Sequence, residues 1–332
     1  MVDKQYQMPA MLIFMWLAVL EYYLAAMVLA VLIDVVVGEP RGPLLMIHPV
    51  VVCGKISSRL FRPGGRGFGV LLWVISVIPL LVIYYLIPWE LFMVNIVVGI
   101  IAYSYVLKLT FSYRLMRDYA KRILRKIELG DLEGARALTQ EIVRRNVWEL
   151  DREHLISAVI ESMAESFVDG FLSPLFYYAL LGLPGALLQR LSNTMDSMVG
   201  YKGWPYEDVG WFSAMIDTLM NYIPARLSTP IITMAAALTG LDWRGSFKVA
   251  LRDHGKVQSV NSGWPMSSFA GALNATLEKI GRYRINGGVR RLDTAILRSS
   301  IRLFDASTIV ALIVVSALLT IRVILFPFVP WF

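Results

Sequence analysis

In residues 151–169 carboxylates recur at the spacing of helix turns. At about 100° per residue, Leu155, Ile156, Val159, Ile160, Met163 and Phe167 share one apolar face. His154, Glu161, Glu165 and Asp169 fall on the opposite side, and no Lys or Arg joins them. Acids at i, i+4 and i+8 repel one another by roughly 0.2–0.5 kcal/mol per pair. A divalent cation would remove that repulsion, and oxygen-only ligands suit Mg²⁺ or Mn²⁺. The plain alternative is a solvated acidic face. Position favours the functional reading, because the stripe runs straight into an apolar segment at Phe171, where carboxylates are costly.

Four other stretches carry chemistry-bearing residues. Residues 192–211 are dense in Gly, Asn, Asp and aromatics. Asn193 and Asp196 can present oxygens from one turn, and Lys202 lies between Gly200 and Gly203. Close backbone amides plus a cation suit phosphate. No P-loop motif occurs in the chain, and an ordinary interfacial loop fits equally well. Ser213, Asp217 and Asn221 share a helical face ahead of Pro224 and Arg226. An Arg in an apolar segment needs a partner, either a carboxylate such as Asp217 or a substrate phosphate. A structural Arg–Asp pair is an equal reading. Asn261-Ser262-Gly263-Trp264-Pro265 follows Asp253, His254 and Lys256. Such a turn can hold a nucleotide or a planar macrocycle, or be only a turn. Finally, Asp34 precedes Gly38-Glu39-Pro40 and His48-Pro49. A lone His such as His48 is more often structural than catalytic.

The elements that position these residues belong to a membrane protein. The 332 residues are 57% hydrophobic, whereas a soluble domain is about 45–50% apolar. Long apolar blocks, uncharged over 68–87, 91–107 and 306–321 and carrying Glu21 midway in the first, predict spans near 10–37, 68–87, 91–111 and 306–326. Residues 87–90 would form the turn between the second and third. Two further stretches, 170–189 and 222–241, are interrupted by Pro174, Gly182 and Pro184, and by Pro224 and Pro230. Broken apolar segments line protein-filled or wet cavities. The expected fold is therefore all-α: a polytopic integral membrane helical bundle with cytoplasmic helical segments and broken or re-entrant helices.

The net charge of +7 reports basic loops on the inner side of the bilayer; nucleic acid is not expected as a partner. Basic residues outnumber acids five to one in 38–66, ten to seven in 114–152 and eleven to four in 242–302. The whole chain, 1–332, reads as one membrane domain, with a cytoplasmic helical insertion at 112–169 and a cytoplasmic loop-and-helix region at 242–305. Within the insertion, a basic amphipathic helix ends at Gly130, and Asp131 caps a second helix through Arg145. The single cysteine, Cys53, excludes an intramolecular disulfide.

Taken in order, these segments resemble the CobD/CbiB family, the adenosylcobinamide-phosphate synthases. The likeness runs from about residue 32 to residue 271. It rests on Asp34…Gly38-Glu39-Pro40…His48-Pro49-Val50…Gly54, on Glu161-Ser162…Glu165…Asp169-Gly170…Pro174-Leu175, and on Asn193-Thr194-Met195-Asp196-Ser197-Met198-Val199-Gly200-Tyr201. Gly210-Trp211…Asp217…Asn221…Pro224-Ala225-Arg226 and Asn261-Ser262-Gly263-Trp264-Pro265…Ala270-Gly271 complete the set.

The resemblance implies a cell-membrane enzyme of cobalamin biosynthesis with its site on the cytoplasmic face. Adenosylcobyric acid would be joined to aminopropanol or its O-phosphate by ATP- and Mg²⁺-dependent (or Mn²⁺-dependent) amide formation. It further implies Glu161, Glu165, Asp169 and Asp196 as metal candidates, and Lys202 and Arg226 as phosphate contacts. Asp34, Asn193, Asn261, Ser262 and Trp264 would bind or orient substrate, and His48 or Asp217 would be the base. A homo-oligomer or an association with other cobalamin-pathway membrane enzymes is compatible with it.

The chain departs from the family pattern where Glu39 replaces Asp, where Val257 replaces His, and where Met266 replaces an acid. Two alternatives stand beside the enzyme: a catalytically silent corrinoid- or nucleotide-binding relative, and a transporter, for which no inverted repeat is visible.

Overall fold

The computed structural model describes residues 4–326, with side chains from Ala18 onward. The 10–17 part of the first expected span thus lies outside the residues whose side chains are described. In chain order the helices are α1 (Lys4–Val36), α2 (Pro43–Met46), α3 (Pro49–Leu60), α4 (Arg66–Val94), α5 (Ile96–Lys108), α6 (Arg114–Glu128), α7 (Leu132–Gln140) and α8 (Arg152–Phe167). A π-helical turn (Val168–Leu172) leads to α9 (Ser173–Val199), followed by α10 (Glu207–Leu238), α11 (Trp243–Asp253) and α12 (Gly263–Leu273). Strands β1 (Leu277–Lys279) and β2 (Tyr283–Ile285) precede α13 (Thr294–Leu325). Among the described residues, four stretches are long and apolar enough to cross a membrane: Ala18–Val36, Arg66–Val94, Arg152–Val199 and Thr294–Leu325. The fold is mostly helical, as expected. The chain divides into two compact units.

The first unit comprises Met1–Phe111, Pro174–Met215 and Ile313–Phe332. Here the turn expected at 87–90 is displaced. Pro88 lies inside α4, and the chain reverses at Asn95 instead. Asn95 is extended (φ −156°, ψ 124°), and its side chain accepts from the amides of Val97 and Val98, capping α5. Gly99 permits the tight return, since a Cβ there would sit 2.4 Å from the Phe92 Cα. The expected span 91–111 becomes the 13-residue α5. At 1.5 Å per residue that is about 20 Å, short of the ~30 Å hydrocarbon core.

The break expected in 170–189 occurs at Gly182 (φ 67°, ψ −157°), inside α9. The Leu183 amide freed there donates to the Tyr103 hydroxyl at 3.2 Å. In the apolar window of Arg152–Val199, 72% of residues are buried inside the protein, against 28–33% for the other three candidates. This stretch is therefore interior and largely shielded from lipid.

The second unit comprises Ser112–Ser173 and Ile216–Leu312. Helix α6 buries Ala120, Ile123, Leu124 and Ile127 and turns Lys121, Arg122 and Arg125 outward, while Arg117 pairs with Asp305 at 2.9 Å. Gly130 takes a left-handed φ of 76°, and Asp131 caps α7 through the Gly134 amide. That helix ends at Gln140, short of the expected Arg145, because Gln140 turns its amide back to the carbonyls of Val143 and Arg145. Helices α11 and α12 pack where Gly271 meets Gly245; a Cβ at Gly271 would lie 2.2 Å from the Gly245 oxygen. The antiparallel β1–β2 hairpin is an addition to the all-α expectation. The break expected in 222–241 is absent: α10 runs through Pro224 and Pro230 without interruption, and it is not among the four membrane-length apolar stretches.

Candidate functional site

Helix α8 is buried almost all round, and of the acidic stripe His154, Glu165 and Asp169 are half-buried. Leu155 through Ala164 are all buried, Glu161 with only 4% exposure. The solvated-face reading of the stripe is thereby excluded for Glu161. Its carboxylate accepts from the Ser157 hydroxyl at 2.7 Å and the Tyr283 hydroxyl at 2.6 Å. The Arg145 guanidinium lies 3.2 Å away. Each donor comes from a different element: Ser157 one turn back on α8, Arg145 from the loop after α7, and Tyr283 from β2. Ser157 also accepts from the Glu278 amide at 2.9 Å, which pins the hairpin to α8. Burial and the Glu161 carboxylate hold the Tyr283 hydroxyl well above its ordinary pKa, so it remains a donor.

Glu165, one turn on, is influenced by the Glu161 charge and is hydrogen-bonded by Ser262, with Lys279 and Arg144 acting on it more weakly. The Asn261-Ser262 turn is thus brought to α8. Asn261 is buried; its amide donates to the Thr218 carbonyl at 2.9 Å, and its oxygen accepts from Arg226 at 3.2 Å. Arg226 lies 3.3 Å from the Tyr222 ring centroid and 5.4 Å from that of Trp264. Trp264 in turn stacks on His254 at 3.8 Å. Gly263 is required in this turn, because a Cβ would sit 1.9 Å from the His254 oxygen. Asp217 accepts from Asn221 at 2.9 Å. Arg226 therefore has Asn261 as its polar side-chain contact, and Asp217 has Asn221. Asp151 caps α8 by accepting from the His154 amide at 2.8 Å, and the His154 ring nitrogen contacts the same carboxylate. Asp169 occupies the π turn.

In the first unit, Lys108 is fully buried, 2.8 Å from Glu39 and 3.4 Å from Asp34, which is 1% exposed. Glu39 also faces the His48 Nε2 at 3.6 Å. The other ring nitrogen of His48 accepts from the Val50 amide and caps α3. Both nitrogens of His48 are thus engaged, which suits positioning better than proton abstraction. Asn193 lines a groove of about 470 Å³ between α3 and α9. Asp196 lies against the helix end, where a Cβ on Gly200 would be 1.9 Å from its Oδ1. Lys202 is exposed on the following loop.

Among the described residues, no three His, Cys, Asp or Glu side chains converge tightly enough to hold an ion. Glu161 is already served by two hydroxyls and a guanidinium. That donor set does not fit a resident metal cage built on Glu161.

Sequence reasoning did not single out Lys108, Arg145, Ser157 or the hydroxyl of Tyr283. Lys108 was findable, as the charge that ends the apolar run 91–107. Tyr283 and Arg145 reach Glu161 from 122 and 16 residues away, and no local pattern marks them.

The family described as CobD/Cbib protein matches residues 27–316. A probable cobalamin biosynthesis protein CobD of Aeropyrum pernix is 41% identical over 269 residues, covering 81% of this chain and 84% of the relative. The cobalamin biosynthesis protein CobD of Dehalococcoides mccartyi is 38% identical, covering 80% and 87%. A probable CobD of Methanocaldococcus jannaschii is 33% identical, covering 86% and 95%. No solved structure shows a significant match.

Proposed function

Because the chain belongs to the CobD/CbiB family of cobalamin biosynthesis proteins, we propose that it is a membrane ligase joining adenosylcobyric acid to aminopropanol or its O-phosphate at the expense of ATP. One observation carries this reading: polar residues of the family-like motifs join in one network, with Glu161 and Asn261 buried and Glu165, Ser262 and Arg226 half-buried, drawn from three separate elements. Isolated buried charges are costly, and a bundle that only spans lipid has no need of them.

Carboxylate and amine do not condense unaided at neutral pH. In the proposed route a carboxylate oxygen attacks the γ-phosphorus of ATP and the bond to ADP breaks. The amine nitrogen then attacks the acyl carbon, the C–O bond to phosphate breaks, and the ammonium proton passes to a base. Arg226, oriented by Asn261 and the Tyr222 carbonyl, is positioned to stabilise phosphoryl charge. Asp217 is better suited as the base than His48, whose nitrogens are both engaged. Glu161 orders Tyr283 and Arg145. The divalent ion would enter as the counter-ion of ATP and not as a resident of Glu161. We place the chain in the cell membrane with its basic segments cytoplasmic.

The silent-relative reading draws on one observation. Met266, buried where the family resemblance leads one to expect an acid, has its sulfur 4.0 Å from the Tyr283 hydroxyl. Membranes containing the chain, supplied with adenosylcobyric acid and labelled amine, are expected to incorporate label into corrinoid only with ATP and Mg²⁺. Corrinoid binding without incorporation favours the silent relative.

A further inference from the structure

The groove between α3 and α9 adds Lys55, Ser58 and Arg190 to the motif residues Gly54, Asn193 and Ser197. Helix α3 presents Gly54, Lys55 and Ser58 to it, and α9 presents Arg190, Asn193 and Ser197. The spacing on α9 is i, i+3 and i+7, one continuous helical face. Two cations, three hydroxyls (Ser58, Thr194 and Ser197) and an amide therefore line about 470 Å³ of space, beside the apolar Val50, Val51 and Met198. Among the described residues that line it there is no carboxylate. Lys55 is exposed on this face. A concave site with cations and neutral donors, and no acid, selects an anion with several oxygens.

We propose that this groove binds a phosphate group, with Lys55 as its principal cation and Asn193 and Ser197 as neutral donors. Two sources share that chemistry: a soluble phosphate monoester, such as the phosphorylated end of an amine substrate, or the headgroup of an anionic lipid. The first source rests on the ligase reading, whereas the binding itself does not.

The test uses the full chain in nanodiscs and reads binding without turnover. In discs of phosphatidylcholine alone, titration with inorganic phosphate and phosphoethanolamine is expected to saturate. Lys55→Ala should weaken that binding by about tenfold or more, the effect of losing one charge-assisted contact. Lys55→Arg should retain it. Gly54→Leu should also abolish it by filling the groove, since a Cβ there already comes within 3.6 Å of the Met198 sulfur. If soluble phosphates do not bind but phosphatidylglycerol is retained by the wild type and lost from Lys55→Ala, the headgroup is the source. The proposal is overturned if neither ligand binds, or if both binding events are unchanged in Lys55→Ala and Gly54→Leu. A chain that binds phosphate but forms no amide keeps the groove and loses the ligase reading.

Discussion

In the first unit Lys108 is buried against two carboxylates, whereas in the second Glu161 is buried against two hydroxyls and a partly buried guanidinium. The first arrangement balances full charges in an apolar helical setting. It fixes the end of α1 and the His48 turn to α5, and neutral residues of similar shape could hold the same elements together. The second keeps a carboxylate beside a tyrosine proton and reaches Glu165 through its charge. Neutral replacements would preserve its shape and abolish its electrostatics. The two clusters thus separate a structural clamp from a chemically tunable site.

The largest effect that can break this comparison comes from Lys108→Met. Two carboxylates would lose their buried cation, and stability should fall by ~3–5 kcal/mol. Thermal unfolding in detergent measures it. Adding Asp34→Asn and Glu39→Gln should restore most of the loss, and failure to do so would mean that the clamp needs its charges. Next, Glu161→Gln keeps the side-chain shape but exchanges charge-assisted contacts for neutral ones, at about 1.5–3 kcal/mol. Amide formation should drop by ~10² or more, out of proportion to stability. Equal losses in both would make Glu161 another clamp.

Tyr283→Phe removes one donor from Glu161 and should cost about 1 kcal/mol, with a clear fall in turnover and unchanged corrinoid binding. The smallest effect sharpens the comparison with a third buried acid. Burial acts to raise the Asp253 carboxyl, yet contacts from Arg252, Lys256 and the Asn286 amide lower it from 3.8 to about 2. A depressed carboxyl contributes stability above its unfolded value, and that contribution is lost as pH falls from about 4 to about 2. Acid unfolding of Asp253→Asn should lack this component.

Much of the fold was legible because lipid imposes a strong pattern. The Gly182 break was marked by Gly-Leu-Pro-Gly, where glycine supplies a positive φ and proline removes a donor. The reversal at Asn95 was not legible: Pro88 is the stronger breaker in isolation, but α4 absorbs it and the Asn95 cap decides. Pro224 and Pro230 misled in the same way within α10. For the site, the helical stripe marked Glu161 and Glu165, but of their partners only Ser157 is local, while Tyr283, Arg145 and Ser262 come through tertiary contacts. Arg226 with Asp217 was a reasonable pairing by spacing, yet Asn261, 35 residues away, takes the guanidinium.

The acid-activation step can be followed with adenosylcobyric acid labelled with ¹⁸O in the reacting carboxylate. Phosphoryl activation followed by amine attack should deliver one labelled oxygen to inorganic phosphate for each amide formed, and Glu161→Gln should suppress transfer and amide together. Label appearing in AMP, or amide forming with none in phosphate, would contradict the account.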